Sequence, residues 1–328
     1  MLLLVFILVI VIVVGYTFYK HQIEGTSGFA KGTSGKITEG FTDNELELPI
    51  REFAIKSSFN SAIKDNVAST DAIKYVLEKG CRLLDFEIYT RDDIEYVSYS
   101  GDPEFKSLDT ENTPSERLSL GQAFSTVAGN AFTNPSPDPG DPLFIMLRIK
   151  NNSDNAYSRI AKMIDESFKT RLYNAEVNRG TKLRNLMGKV IIIIDLQSSP
   201  QYKTGVKCST SVCHRLEDYV SLEAGSVHLP KYTYSDLTTL PAKPVSPDSN
   251  FLSTDIQSFM MITPTQVEQI KPIDPDIVMK TWHPQFLLVK YGKDVDKYEQ
   301  IFKDYGASIV PMAHIVKTLY SKNSAQSI

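Results

Sequence analysis

The chain is too poor in cysteine to be a disulfide scaffold: only Cys81, Cys208 and Cys213 occur in 328 residues. An excess of one charge is missing as well. Lys and Arg number 35 against 39 Asp and Glu, a formal net charge of −4 with the signs interspersed. The totals therefore offer no basic face, and nucleic acid is not an expected partner. No Gly-x-Gly-x-x-Gly follows an apolar run, which argues against a dinucleotide-binding sheet. No repeat of solenoid length is visible. What remains is a length and an average apolar content that suit one large domain or two small ones.

One absence is local. Leu2 to Tyr19 contains no charged side chain and is dominated by Leu, Val and Ile. Eighteen helical residues rise about 27 Å, close to a hydrocarbon core of about 30 Å. Tyr16, Phe18 and Tyr19 stand at one end, where aromatic rings favour the headgroup boundary. A basic n-region and an A-x-A cleavage site are both lacking, so the segment is expected to be a single-pass membrane anchor, not a cleaved signal peptide. Lys20 and His21 give a weak positive bias after it, and orientation and compartment stay open. Gly25-Thr26-Ser27-Gly28 and Gly32-Thr33-Ser34-Gly35 then mark a spacer. The expected organisation is an anchor over 1–20, a flexible linker over 21–45, a globular domain over 46–320 and a tail over 321–328.

Within the domain, short apolar runs alternate with helical patterns. Expected strands are 52–57, 82–89, 94–99, 143–149, 189–196, 256–262, 285–289 and 308–311, with a further one placed at 226–229. Expected helices lie near 70–79, 120–132, 156–171, 264–269 and 295–305. That rhythm over about 270 residues is the pattern of an α/β protein with a parallel sheet, of a size usual for a (β/α)8 barrel; an open doubly wound sheet is the alternative. Cys81 heads an apolar run and reads as core. Cys208 and Cys213, followed by His214, are open to three readings: free thiols, a local disulfide or a metal site. Trp282, Tyr232 and Tyr234 read as packing residues before lipid contacts.

Three segments then count together: Ser57-Ser58-Phe59-Asn60-Ser61, Gly80-Cys81-Arg82-Leu83-Leu84-Asp85-Phe86-Glu87-Ile88-Tyr89, and Val97-Ser98-Tyr99-Ser100-Gly101. In order and spacing they resemble the X region of phosphatidylinositol-specific phospholipase C. That family reads S-S-H-N-[ST], G-C-R-x-[IVL]-E-L-D-x-[WY] and V-x-[YH]-H-G. Leu143 to Lys150 is similar to its V-I-L-S-L-E-x-H strand, and Leu186 to Ile191 to its L-x-G-K-[IV] opening. The resemblance covers residues 50–195 and fades beyond. It implies a distorted TIM (β/α)8-type barrel, here preceded by one transmembrane helix, with its site at the C-terminal strand ends. Family members use two histidines, and the eukaryotic type adds calcium. The glycerophosphodiester phosphodiesterases share the barrel but open with His-Arg-Gly, which this chain lacks.

Carried over residue by residue, the two histidine positions are Phe59 and Ser100, neither able to exchange a proton near neutral pH. The calcium asparagine is kept as Asn60, and the E-L-D carboxylates appear as Asp85 and Glu87. The fourth-strand glutamate is Arg148, with Lys150 two residues on. No catalytic residue and no cofactor, calcium included, is therefore expected, and Asn60, Asp85 and Glu87 read as a vestigial metal set. Strand alternation independently places Asp85 and Glu87 on one face, and Arg148 and Lys150 on one face of another strand. Two readings follow: an internal salt-bridge cluster in place of calcium, or a pocket for an anionic lipid headgroup with Arg148 and Lys150 as phosphate contacts. The expected function is a membrane-anchored, non-catalytic module that binds a phosphorylated headgroup or a protein partner. The alternative is an active phosphodiesterase with relocated catalytic groups, for which His228, His283 and His314 are the available histidines.

Overall fold

Apolar side chains alternate along the strands, and that alternation sorts them into two cores. The computed structural model describes residues 40–65, 67–99, 117–150, 154–203, 213–242, 259–264, 273–292 and 295–325. Eight of its strands run parallel: β1 Phe53–Phe59, β2 Leu83–Arg91, β3 Leu143–Ile149, β4 Val190–Asp195, β5 Val220–Ala224, β6 Lys231–Thr233, β7 Met261–Thr263 and β8 Phe286–Lys290. The sheet order is β6-β7-β8-β1-β2-β3-β4-β5, so neighbours in the chain are neighbours in the ring. Every adjacent pair shares a ladder except β5 and β6, among the described residues, and the barrel is nearly closed.

Register fixes what points inward. Leu83 pairs with Phe144, Asp85 with Met146 and Glu87 with Arg148, so these six share one face. The inner core gathers Phe53, Ile55, Leu83, Phe144, Met146, Ile191, Ile193, Met261, Phe286 and Leu288. The other face carries Leu84, Phe86, Ile88, Ile145, Leu147 and Ile192, which pack against the surrounding helices. Each such fully buried aliphatic chain contributes about 1.5–3 kcal/mol. Helix Thr70–Glu78 shows how one is built: Ser69 caps it by accepting from the Ala72 amide at 3.2 Å, and Ala72, Ile73, Val76 and Leu77 form its buried stripe.

The Gly80-Cys81-Arg82 block belongs to this architecture. Gly80 has φ +83°, and a Cβ there would lie 2.5 Å from Ser308 Oγ. Arg82 is fully buried; its guanidinium donates to the Ala131 carbonyl at 2.8 Å, to Ser136 Oγ at 2.7 Å and to the Asp138 carbonyl. It thereby ties the approach to β3 beneath the start of β2.

Several expectations need correction. Residues 94–98 are not a barrel strand; they fold back antiparallel on Glu87–Arg91 as a hairpin. Residues 309–311 pair antiparallel with Phe53–Ile55. The strand placed at 226–229 is instead the turn after β5, and β6 follows at Lys231. Helices Pro275–Trp282 and Met312–Ala325 were not anticipated, and the second runs into the expected tail. The expected helix near 264–269 falls mostly outside the described residues, as do the anchor over 1–20 and all of the linker up to residue 39. The linker also ends earlier than expected. Asp43–Glu47 is a helix, and Phe41, Leu46 and Leu48 pack on the inner core at the N-terminal end of the barrel. There the Ile50 amide donates to Thr181 O at 2.7 Å, and Lys182 and Arg184 pair with Glu47 at 2.7 and 2.6 Å. Among the described residues, no helix is long and apolar enough to cross a membrane.

Candidate functional site

At the C-terminal ends of β1, β2 and β3 the inward positions change from apolar to charged. Arg148 ends the inward row of β3, and its side chain is 4% exposed, against 0% for Asp85 and 1% for Glu87. Charges so buried must find partners. Arg148 Nε donates to Asp85 Oδ1 and Nη2 to Asp85 Oδ2, both at 2.8 Å, while Nη1 donates to Glu87 Oε2 at 2.7 Å. Nη2 also donates to Asn60 Oδ1. Asn60 sits just past β1 at φ 48°, a left-handed conformation that asparagine tolerates, and its amide donates to Asp85 Oδ2 at 2.8 Å. Burial works to lower the Arg148 pKa, but the carboxylates of Asp85 and Glu87 outweigh it and hold the group charged.

Phe59 lies beneath this fork. Its ring centroid is 4.6 Å from Arg148 Cζ, a cation–π contact at the position where the family motif has histidine. The second such position, Ser100, lies outside the described residues. Lys150 reaches the same cluster, with Nζ 3.8 Å from Glu87 Oε1. Burial lowers its pKa; Glu87 and Asp195 oppose the shift, and Arg148 and Lys231 add to it.

Sequence reasoning missed three members of the site. Tyr89 donates its hydroxyl to Glu87 Oε1. Asp195, at the end of β4, pairs with Lys231 Nζ at 2.5 Å and accepts from Ser198 Oγ at 2.9 Å. Asp195 carried a readable signal, because it continues the inward row Ile191, Ile193. Lys231 carried none, since a three-residue Lys-Tyr-Thr strand has no apolar run. Among the described residues, the charges that meet in this cluster balance: Asp85, Glu87 and Asp195 against Arg148, Lys150 and Lys231. Lys290, at the end of β8, is exposed beyond them.

This donor set does not fit calcium. Both oxygens of Asp85, Oε2 of Glu87 and the side-chain oxygen of Asn60 all accept from one guanidinium, so an ion would have to displace a paired buried arginine. Nor do His228, His283 and His314 gather here. His283 precedes β8 at the opposite end, buried, with its pKa pushed down to about 4 by burial. His314 packs on Tyr305 with ring centroids 4.6 Å apart, outside the barrel. His228 is in the turn after β5, its amide donating to Ser226 Oγ at 3.1 Å.

A nearly closed parallel eight-stranded barrel with this polar constellation at its C-terminal rim is a TIM-barrel-type fold. Residues 46–195 match the family model of phosphatidylinositol-specific phospholipase C, X domain, so the resemblance read from the motifs holds over that segment. Among solved structures, PLC21 of L. pealei superposes with a TM-score of 0.59 at 13% identity, covering 84% of this chain and 38% of that one. PLC21 of S. officinalis gives 0.54 at 11% identity, over 84% of this chain and 38% of that one. The calcium-dependent phosphoinositol-specific phospholipase C of a Pseudomonas sp. gives 0.51 at 10% identity, over 85% of this chain and all of that one. At these identities the likeness is one of fold. The chain spans 38% of the length of the two PLC21 structures. No curated protein matches the chain.

Proposed function

We propose that this chain is a catalytically silent, membrane-anchored phospholipase-C-like barrel that serves as an interaction module. The observation that carries the reading is the bidentate Arg148–Asp85 pair, extended to Glu87 and Asn60, standing where the family pattern has a metal ligand. Phosphodiester cleavage needs a proton taken from the attacking hydroxyl and one delivered to the leaving oxygen. Phe59 supplies neither, and Ser100 has a hydroxyl that stays protonated at any working pH. General acid–base groups contribute about 10²–10⁴ in rate each, so losing both removes useful turnover. The apolar segment 2–19 supports the anchor. The test is incubation of the protein with phosphatidylinositol and detection of released inositol phosphates. No release is expected. Turnover of about 1 s⁻¹ or more would overturn the reading in favour of an active phosphodiesterase with relocated groups, and His228, on the same end of the barrel, would then be the first residue to replace.

A second reading, a site for a phosphorylated headgroup, is favoured by the placement of Lys150, Lys231 and Lys290. Arg148 is not its natural contact, because four of its N–H groups are already engaged within the cluster. Titration with inositol phosphates, comparing the native chain with Lys290→Gln, distinguishes it: saturable binding weakened by the substitution supports a headgroup site.

A further inference from the structure

The two described cysteines are in opposite chemical states. Cys81 is a free thiol, fully buried at the start of β2. Burial pushes its pKa up to about 12, although Lys56 nearby works the other way, so the thiol stays protonated and unreactive. Cys213 is disulfide-bonded. The segment after it is pinned: Leu216 is buried in the outer core, and His214 Nδ1 lies 2.7 Å from the Tyr219 hydroxyl. Arg215 Nη2 lies 2.8 Å from Asp218 Oδ1.

We propose that Cys213 pairs with Cys208, and that the barrel consequently folds and works in an oxidising compartment, on the non-cytoplasmic face of the membrane in which residues 2–19 anchor it. Forming the bond removes two protons and two electrons from the two thiols. A disulfide donor takes them up by thiol–disulfide exchange, ending as two thiols itself. Such bonds persist in secretory and extracellular space and are rare where cytosolic thiol pools reduce them. Cysteine usage agrees with that setting, since Cys81 offers no accessible thiol to scramble the pair. Lys20, Lys31 and Lys36 follow the apolar segment and taken alone favour the opposite orientation. The disulfide is the stronger constraint, because reduction in the cytosol acts on it whatever charges flank the helix.

The inference rests on the anchored reading above, and the experiment separates the two. The full chain is expressed in cells with a secretory pathway, and sealed microsomes are prepared. Denatured protein is treated with a maleimide–polyethylene glycol, with and without prior reduction, and intact microsomes receive external protease. One adduct without reduction, three after it, and a protected barrel are expected. Three adducts without reduction, a disulfide-linked dimer on a non-reducing gel, or a barrel digested from outside would each overturn the inference. Extraction by alkaline carbonate of a chain that is still protected and still shows one thiol would remove the anchor and leave the compartment standing. Cys213→Ser adds a control that does not depend on localisation: it should expose Cys208 and give two adducts without reduction.

Discussion

Arg148 holds Asp85 through two parallel hydrogen bonds, Nε to Oδ1 and Nη2 to Oδ2, each 2.8 Å long. The planar fork matches the planar carboxylate, and the remaining donors reach Glu87 and Asn60. One side chain thus pairs with two buried acids that arrive from a neighbouring strand, and Lys150, 3.8 Å from Glu87 Oε1, supplies the second positive charge.

Replacing that side chain should be costly. Arg148→Met leaves Asp85 and Glu87 buried without their main partner, and is expected to lower stability by about 3–5 kcal/mol. Lys150→Met, at the edge of the cluster, should cost about 1 kcal/mol. Denaturant midpoints measured for both variants check the order. Equal effects would mean that the cluster is not centred on Arg148.

Calcium should not stabilise the native chain. An ion that binds only the folded state raises stability by RT ln(1 + [L]/Kd), so a site would announce itself in thermal melts at millimolar calcium. The melts with and without calcium are expected to overlay. A rise of several degrees, abolished by Asp85→Ala, would show that an ion can enter despite Arg148.

Activity should return only through the lost side chains. The triple variant Phe59→His, Ser100→His and Arg148→Glu restores the family pattern at three positions. Measurable release of inositol phosphates from phosphatidylinositol is expected, with dependence on calcium. A silent variant that still folds by circular dichroism would place the loss in the scaffold as well.

Asp141 should make stability depend on pH in an unusual direction. Burial, and then Asp138, raise its pKa to about 7, with Arg82 opposing. In the unfolded chain an aspartate titrates near about 3.9. The folded state therefore binds the proton more tightly. This contribution is complete below about pH 4 and is lost as pH rises through about 7. Asp141→Asn remains neutral throughout. Relative to the variant, the native protein should lose about 1–3 kcal/mol between pH 5 and 8, read from denaturant unfolding at each pH. Parallel profiles would show that Asp141 is ionised in the fold.

The floor of the barrel should depend on the Asp43–Glu47 helix, which begins inside the stretch expected to be linker, and on the residues that follow it. Leu46→Ala with Leu48→Ala removes apolar cover from the inner core and is expected to cost about 2 kcal/mol in the full chain. Unchanged melting would mean that the Asp43–Glu47 helix rests on the barrel without sealing it.

Much of the site was legible in advance. A strand turns its side chains over every two residues, so the rows Leu83-Asp85-Glu87 and Met146-Arg148-Lys150 had to present charge on one face whatever the fold. The resemblance of the motif blocks to the X region singled out Phe59 and Asn60. Tertiary structure decided which charges meet. Arg148 and Asp85 stand 63 residues apart, and only the β2–β3 register brings them side by side. The same holds for Lys231 and Asp195, joined across two strands of which one is too short to show a pattern. Residues 94–98 and 309–311 read as strands correctly, but their direction depends on hairpin and edge partners that local periodicity does not encode. Local alternation records which face a residue takes; the choice of partner is a long-range event, made when the strands close into the barrel.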